Sequence, residues 1–470
     1  MTTTPDRATA VASPPPSWDR RRNAVLACVM VGIMATSVLS SAGVTPAIRL
    51  IGGGLAIVLV LAQWAKISNG IRWTGTLMLI TGAIATIFAP EPLMVIERGL
   101  LSTVSFLSIV AAVSLLGARA ESSAAVSQIG ETLAQVARQG AYGPIAIISH
   151  LVASGLSLAG TAVLMSTAAR ALPADDDPAA QRLAFSAILR GFCCAIAWTP
   201  MMGNMALMLT IYNLTWLDVA PINLTAALSV IGAGVVYERI RRGPNTSGPL
   251  PRDLKVVFLK VLLALCTVVP FLVILGRGTG LPIAPLIVIL AAPAAMLWAW
   301  GEGHVTTLSP AGLVMRDAVA RFPAFSGEAL LFLGAGLASS AIAGLVPVSL
   351  AQSVGGLMLG SPGILLLFSV IAISGPAIIG IHPALPALII ATTLSPEATG
   401  MPAISHFAAV LTGWGLSNIL GPFTVSGLMT ARSAGRSAHR VTIGWNLSAV
   451  IFVTPFAALA IEVLTRVMSP

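Results

Sequence analysis

The chain has 470 residues, of which 56% are apolar and only 9% are charged, and its mean hydropathy is +0.92. This composition excludes an ordinary soluble domain and is typical of a polytopic membrane protein. The formal net charge of +9 does not indicate nucleic-acid binding, because the basic residues are scattered over short loops and form no patch.

Apolar segments and short polar loops in the first part of the chain predict membrane-spanning helices. Residues 1–23 are expected to be a disordered cytoplasmic tail, because they are rich in proline and arginine. A cytoplasmic arm at 119–141 and a re-entrant hairpin at about 143–170 are predicted between the fourth and fifth helices. The first half, 24–238, is predicted to contain helices at 24–41, 46–64, 74–89, 99–117, 188–213 and 218–238.

A basic cytoplasmic linker, 239–254, separates this half from a second one, 255–466. The second half is expected to contain a second arm at 302–325 and a second re-entrant hairpin at about 360–395. Its predicted helices cover 255–275, 281–299, 327–346, 404–430 and 441–465. The sequence thus predicts an all-α polytopic membrane protein with about 11 transmembrane helices and two oppositely oriented re-entrant hairpins in an inverted repeat.

Two segments within the predicted hairpins repeat one pattern. Ser149–Gly160 reads SHLVASGLSLAG, Ser369–Gly380 reads SVIAISGPAIIG, and both fit the frame S-x4-S-G-x4-G. Each copy is followed by an apolar segment with an internal proline, which is Pro200 in the first half and Pro422 in the second. Paired apolar segments that Gly or Pro interrupts in two halves indicate the binding site of a secondary transporter.

The distribution of Lys and Arg predicts the orientation in the membrane. With the N-terminus in the cytoplasm, all of the 26 basic residues lie on the cytoplasmic side except Arg49, Arg98, Arg277 and Arg466. This bias holds only if each hairpin returns to the side from which it came. The first hairpin is therefore expected to open to the cytoplasm and the second to the outside, with the C-terminus outside.

Helix breaks at membrane depth supply the chemistry of such a site. Free N–H groups at the start of a half-helix favour an anion, while free carbonyls and hydroxyls suit a dehydrated cation such as sodium. For any single small polar residue, the alternative is close helix packing with a hydrogen bond back to a carbonyl. The candidate binding residues are Ser154, Gly155, Ser157, Thr161, Trp198, Thr199, Pro200 and Asn204 in the first half, and Ser374, Gly375, His382, Ser417, Asn418, Pro422 and Thr424 in the second.

Histidine is the only candidate proton carrier, because no Asp or Glu lies in the predicted hairpins or breaks. His382, between helix breakers, is the first candidate and His150 the second; a neutral structural histidine is the alternative for both. Five tryptophans near the ends of spans are expected to lie at the membrane interface: Trp64, Trp73, Trp216, Trp298 and Trp300. The acidic run 175–177 is expected to be a solvated loop, and no metal site or catalytic motif is predicted.

Eleven helices, two oppositely directed hairpins and a proline-broken helix after each hairpin resemble the ion transporter superfamily. The nearest likeness is to the divalent anion/sodium symporters, with relatives among arsenite exporters and the large subunits of TRAP transporters. That family has a Ser-Asn-Thr signature at each hairpin tip and a Gly-Thr-Pro-rich break in the next helix. The matching positions in this sequence are Ser154-Gly155-Leu156 and Ser374-Gly375-Pro376 at the tips, and Trp198-Thr199-Pro200 and Gly421-Pro422 at the breaks. The resemblance implies a homodimer.

The sequence therefore predicts a secondary active transporter of the inner membrane that moves a small organic anion by alternating access. Sodium or a proton is the expected coupling ion, no cofactor is expected, and the chain is not expected to be an enzyme. An exporter of an oxyanion or toxic metabolite is the alternative within transport. A non-transporting intramembrane binding or assembly protein is the alternative of another class. The expected partners are the anionic substrate and membrane lipid, without nucleic acid.

Overall fold

A computed structural model describes residues 17–45, 47–173, 176–242, 251–302 and 308–468, and none of these residues lies in a β-strand. The helices of the first half are α1 (Ser17–Ser41), α2 (Ala47–Gln63), α3 (Asn69–Phe88), α4 (Pro92–Ser122), α5 (Ala124–Arg138), α6 (Tyr142–Ala171), α7 (Pro178–Ile196), α8 (Gly203–Tyr212) and α9 (Trp216–Arg242). Those of the second half are α10 (Arg252–Thr279), α11 (Ile283–Gly301), α12 (Pro310–Arg321), α13 (Ser326–Leu345), α14 (Val348–Gly356), α15 (Pro362–Ile378), α16 (Ala384–Thr393), α17 (Pro396–Thr399), α18 (Ala403–Leu420), α19 (Val425–Ala434) and α20 (Trp445–Met468).

Within the described part of the chain, 12 helices are long and apolar enough to cross a membrane, judged by length and composition. The prediction of an all-α polytopic membrane protein is therefore confirmed. Eleven of the 12 coincide with the helices expected from the sequence. The additional one is α6, which covers the segment expected to be the first hairpin.

The fifth predicted helix, 188–213, differs most from its expected bounds. It begins at Pro178 as α7, because the side chain of Asp177 accepts a hydrogen bond from the N–H of Ala180 at 2.9 Å and caps the helix. Proline suits the first helical position, where no N–H is needed. Asp177, expected in a solvated loop, is thus the start signal of this helix, while residues 174–175 lie outside the described residues.

The predicted tail and linker lie partly outside the described residues. The tail, 1–23, overlaps α1, which already begins at Ser17, and residues 1–16 are not among those described. The linker, 239–254, overlaps the end of α9 and the start of α10, and 243–250 are likewise outside.

α6 is interrupted near its middle, at Ser157, whose φ of 51° and ψ of −141° lie outside the helical region. A methyl group at Gly160 would lie 2.9 Å from Cγ1 of Val152, although residues eight apart are separated by about 12 Å along a continuous helix. Arg138, which precedes α6, donates a hydrogen bond of 2.7 Å to the carbonyl of Ala171, its last residue. The chain therefore reverses direction at Ser157.

We call the two limbs of α6, 142–156 and 158–171, the first helix pair. At about 1.5 Å per residue these limbs are about 22 and 21 Å long. Each is shorter than the roughly 30 Å of hydrocarbon in a bilayer. The apolar length of α6 thus comes from two short helices placed side by side.

α15 and α16, joined by the turn 379–383, form a second helix pair. They are about 26 and 15 Å long, and neither meets the length of a membrane span. Gly380 in the turn has a φ of 102°, which favours glycine. The backbone of Gly355, ahead of α15, contacts that of Ala398, after α16, so the two ends of this pair also lie together.

The helices of the two halves interlock through small residues. α13 lies against α3 and α4, where a methyl group at Gly82 would lie 2.6 Å from the nitrogen of Ala338. α7 is almost completely buried and crosses α18, where a methyl group at Gly415 would lie 2.8 Å from the carbonyl of Cys193. Small residues allow the backbones of two helices to approach closely. In a membrane, where lipid is as apolar as the helices, such close packing holds helices together in place of the hydrophobic effect.

Candidate functional site

Each half contains a helix that is interrupted where the sequence places a proline. α7 and α8 are separated by the first break, 197–202, and α18 and α19 by the second break, 421–424. Pro200 lies in the first break and Pro422 in the second. Proline lacks an N–H and its ring collides with the preceding turn of a helix, which favours an interruption at both places. Proline alone is not sufficient, because Pro270, Pro293 and Pro455 lie inside uninterrupted helices.

The same close contact joins each helix pair to the broken helix that follows it. A methyl group at Gly191 of α7 would lie 3.0 Å from Cβ of Ser149, and one at Gly413 of α18 would lie 2.7 Å from Cβ of Ser369. Ser149 and Ser369 are the first serines of the two repeated frames. The repeated frame therefore marks a packing contact that is built in both halves.

The second serine of each frame is hydrogen bonded to the neighbouring broken helix. In the first half, the hydroxyl of Thr199 donates to the carbonyl of Ser154 at 2.7 Å. In the second half, the hydroxyl of Ser374 donates to that of Ser417 at 3.0 Å, and Ser417 donates to the carbonyl of Gly413 at 2.8 Å. These bonds bring together four of the predicted site residues as two pairs.

Two helix N-termini meet in the first half. Ser157 immediately precedes the second limb of α6, and Met202 immediately precedes α8. The hydroxyl of Ser157 donates to Sδ of Met202 at 3.1 Å, so these starting points are in contact. No side chain caps α8, and the first N–H groups of a helix have no partner within it. The positive ends of two helix dipoles thus converge beside the first break.

The corresponding N-termini of the second half are already capped. The hydroxyl of Thr424 accepts a hydrogen bond from the N–H of Gly427 at 3.1 Å at the start of α19. Nδ1 of His382 accepts one from the N–H of Ala384 at 3.2 Å at the start of α16. Side chains therefore occupy positions that an anion would need, and the two halves differ in what they offer a ligand.

His150 and Trp198 form a hydrogen-bonded unit in the first half. The indole N–H of Trp198 donates to Nε2 of His150 at 2.9 Å, and Nδ1 of His150 lies 3.3 Å from the carbonyl of Gly191. An imidazole that accepts at one nitrogen and donates from the other is neutral. This geometry gives His150 a positioning role for Trp198.

His406 has a similar arrangement at the far end of the second helix pair. Its Nε2 lies 2.6 Å from the carbonyl of Leu394, and its Nδ1 lies 2.7 Å from the hydroxyl of Tyr212. Donation to the carbonyl leaves Nδ1 as the acceptor. His406 therefore fastens α18 to the end of α16 and to α8.

Two carbonyls of the first break are bonded to side chains of α9. The amide of Asn223 donates to the carbonyl of Ala197, and the indole N–H of Trp216 donates to the carbonyl of Trp198 at 2.7 Å. The prediction that Trp216 lies at the membrane interface is wrong, because it is 6% exposed and its N–H is directed into the break. Free carbonyls at the breaks were expected to suit a cation, and no sequence motif indicated that side chains of α9 would bond to these two.

An apolar cavity of about 610 Å³ adjoins the first break and the reversal of α6. Its walls come from α5, α6, α10 and α11 together with the break. The predicted site residues that line it are Ser154, Gly155, Trp198, Thr199 and Pro200. The structure thus gathers most of the first-half candidates at one accessible place.

The remaining first-half candidates do not line this cavity. Ser157 is the point of reversal, and the hydroxyl of buried Thr161 donates back to its carbonyl at 3.1 Å. Asn204 is the second residue of α8 and is 8% exposed. Thr161 thus follows the helix-packing alternative, while Asn204 stands at the uncapped N-terminus.

The second-half candidates do not join that cavity. The amide of Asn418 donates back to the carbonyl of Trp414 at 3.1 Å within α18. The predicted tip at 374–376 lies inside α15, because the helix continues to Ile378 and the chain turns only at 379–383. Gly375 is exposed on α15 with no atom near its Cβ position. The expected tip is wrong by several residues, since Pro376 does not end the helix and the positive φ of Gly380 permits the turn.

Two buried ion pairs flank the broken helices. Arg190 of α7 forms a buried ion pair of 2.9 Å with Glu238 of α9, and its Nε donates to Oδ1 of Asn446 at 2.7 Å. Arg119 of α4 and Asp317 of α12 form a second buried pair. Among the described residues, no group of three or more His, Cys, Asp or Glu could hold a metal ion.

Comparisons with known proteins add no relative to this geometry. A scan against protein-family models gives no match, and a search of curated proteins gives none either. The resemblance to the ion transporter superfamily therefore stays a prediction, and functional argument rests on the residues of the site.

Proposed function

We propose that this chain is a secondary active transporter that moves a small organic anion across the inner membrane by alternating access. The observation that carries the proposal is the contact of Ser157 with Met202, which brings two helix N-termini together. One of them, the start of α8, has no side-chain cap. Discontinuous helices whose N-termini converge at membrane depth are typical of anion sites in secondary transporters. A purely structural protein has no need to leave these groups without partners.

The proposed topology follows from the helix pairs. Since neither pair contains a helix long enough to cross, we propose that both are re-entrant and that the Gly191–Ser149 and Gly413–Ser369 contacts are equivalent members of an inverted repeat. The distribution of basic residues then supports a cytoplasmic N-terminus and an external C-terminus. The pairs and the broken helices would form the moving unit, and the other helices a scaffold. The proposed homodimer rests on the family resemblance.

An anion is favoured over a cation at the first break. The N–H groups at the start of α8 have no side-chain cap, whereas the N–H groups of the break itself and the carbonyls of Ala197 and Trp198 already take part in hydrogen bonds within the protein. Helix N-termini stabilise negative charge through the same groups. Glu302, the one carboxylate among the residues that line the cavity, follows the end of α11 and is not part of the break.

Sodium is the proposed coupling ion. Each of three histidines uses a ring nitrogen as a hydrogen-bond acceptor: His150 towards Trp198, His382 towards Ala384 and His406 towards Tyr212. A protonated imidazole has no acceptor nitrogen. Proton coupling would require breaking these bonds in each cycle. Sodium requires several oxygen ligands, and we propose that hydroxyl and amide oxygens of Ser374, Ser417 and Asn418 contribute to that site.

Solid-supported-membrane electrophysiology on reconstituted full-length protein tests the function directly. Acetate, succinate, benzoate and hexanoate are applied in turn, with and without an inward sodium gradient, and protein-free vesicles are the control. A transient current that needs both the carboxylate and sodium supports the proposal. The absence of any carboxylate-dependent current under sodium or pH gradients would contradict it.

A further inference from the structure

The cavity beside the first break is far larger than a small anion requires. Its volume is about 610 Å³, and aliphatic side chains of α5, α10 and α11 form most of its wall. Pockets of about 300–1,000 Å³ with such walls hold whole drug-sized ligands. An anion as small as acetate would leave most of this apolar space unfilled.

The polar side chains that line the cavity are few: Ser123, Gln128, Ser154, Thr199, Lys260 and Glu302, besides the indoles of Trp198 and Trp298. Ser154 and Thr199 each lie three residues before Ser157 and Met202, which precede the convergent N-termini. Lys260 is the one basic residue in this lining and forms no ion pair with any described residue, and Glu302 is the one carboxylate in it. A ligand that fits this arrangement has one charged group beside the break and an apolar body in the remaining space.

We propose that the substrate is an amphipathic organic anion, with a carboxylate-like head group at the two helix N-termini and a hydrocarbon or aromatic body in the cavity. This inference rests on the proposed transport function and names its substrate class. Burial of the apolar body supplies affinity in proportion to the area removed from water.

A series of straight-chain carboxylates from acetate to decanoate tests the apolar body. Binding is measured on full-length protein in lipid nanodiscs through the fluorescence of Trp198 and Trp298, which line the cavity. Each added methylene should tighten binding about fourfold until the cavity is full. Equal affinity across the series would overturn the proposal.

Filling the cavity separates specific binding from partition into lipid. Ala264 of α10 lines the cavity, whereas its neighbour Leu263 is 63% exposed and does not. In Ala264→Trp the affinity for decanoate should fall by at least about tenfold, as if several methylenes had been removed. Leu263→Trp, the matched control, should bind decanoate like the unmodified protein. An equal response of the two variants would overturn the proposal.

The head group is tested with decanol, which has the same chain and no charge. Decanol should bind at least about tenfold more weakly than decanoate, because hydrogen bonds to charged groups are the stronger ones. Equal binding would overturn the anionic head group. A tightly held phospholipid, detected by native mass spectrometry and lost in Ala264→Trp, would show that the cavity holds lipid and would also overturn the proposal.

Failure of this inference and failure of the transport function give different results. A flat carboxylate series together with sodium-dependent currents from acetate or succinate overturns the substrate class alone. Chain-length-dependent binding without any current in vesicles overturns transport alone and leaves a binding site for amphipathic anions.

Discussion

The rings of Phe106 in α4 and Phe332 in α13 stack with their centroids 3.5 Å apart and their planes 16° from parallel. A methyl group at Gly203, at the start of α8, would lie 2.7 Å from the ring of Phe106. On the other side, the ring of His382 meets Phe332 edge-on at 5.7 Å. The stacked pair therefore separates the first break from the turn of the second helix pair.

We expect this pair to act as a barrier between the two half-sites, and Phe332→Ala to cause a leak. The variant should pass sodium without substrate, because a cavity opens where two rings excluded water, and should lose about 3–5 kcal/mol of stability. Sodium flux into vesicles measures the leak. Phe322→Ala removes an equally buried ring elsewhere in the scaffold and should destabilise without leaking. Equal leaks from both variants would remove the barrier role.

The two prolines of the breaks should matter for transport more than for folding. Pro200→Ala and Pro422→Ala allow the helices to continue, which withdraws backbone groups from a ligand and should lower transport about 10–100-fold. The amount of folded protein in the membrane should change little. Pro455→Ala, in the continuous helix α20, is the control and should transport normally. Normal turnover in both break variants would show that these prolines only bend their helices and have no role in transport.

Cysteine labelling tests the re-entrant arrangement in a background without native cysteines. Gln135→Cys in α5 and Asp176→Cys after α6 should react only with reagent on the cytoplasmic side. Leu357→Cys, which is 70% exposed ahead of the second helix pair, should react only from outside. Labelling of positions 135 and 176 from opposite faces would show that α6 crosses the membrane once, and the inverted repeat would be lost.

Replacement of Asn418 should weaken coupling. Removal of one neutral oxygen ligand costs about 1 kcal/mol, so Asn418→Ala should raise the sodium concentration for half-maximal uptake about fivefold. His382→Gln keeps an acceptor for the N–H of Ala384 and should retain sodium-dependent uptake. The measurement is uptake of carboxylate against sodium concentration. Robust transport in sodium-free buffer, driven by a pH gradient alone, would reverse the assignment of the coupling ion.

Local signals in the amino-acid sequence predicted most helices and the two proline-containing breaks. Long apolar segments predict spans because the membrane demands about 20 apolar residues per crossing. Pro200 and Pro422 predict both breaks because the loss of an N–H and a steric clash act within one turn. The S-x4-S-G-x4-G frame likewise marked the small residues, Ser149 and Ser369, at which helices approach closely.

The sequence by itself thus determined the class of protein, its helices and two places where helices break. The sequence predicted the tips of the two helix pairs around Gly155 and at 374–376. Only the tertiary structure showed that the chain reverses at Ser157 and turns at 379–383. It also decided which backbone groups are bonded: Trp216 and Asn223 of α9 donate to carbonyls of the first break, while the N-terminus of α8 has no side-chain cap. These partners come from other helices, and hydrogen bonds between helices depend on packing that no local pattern encodes.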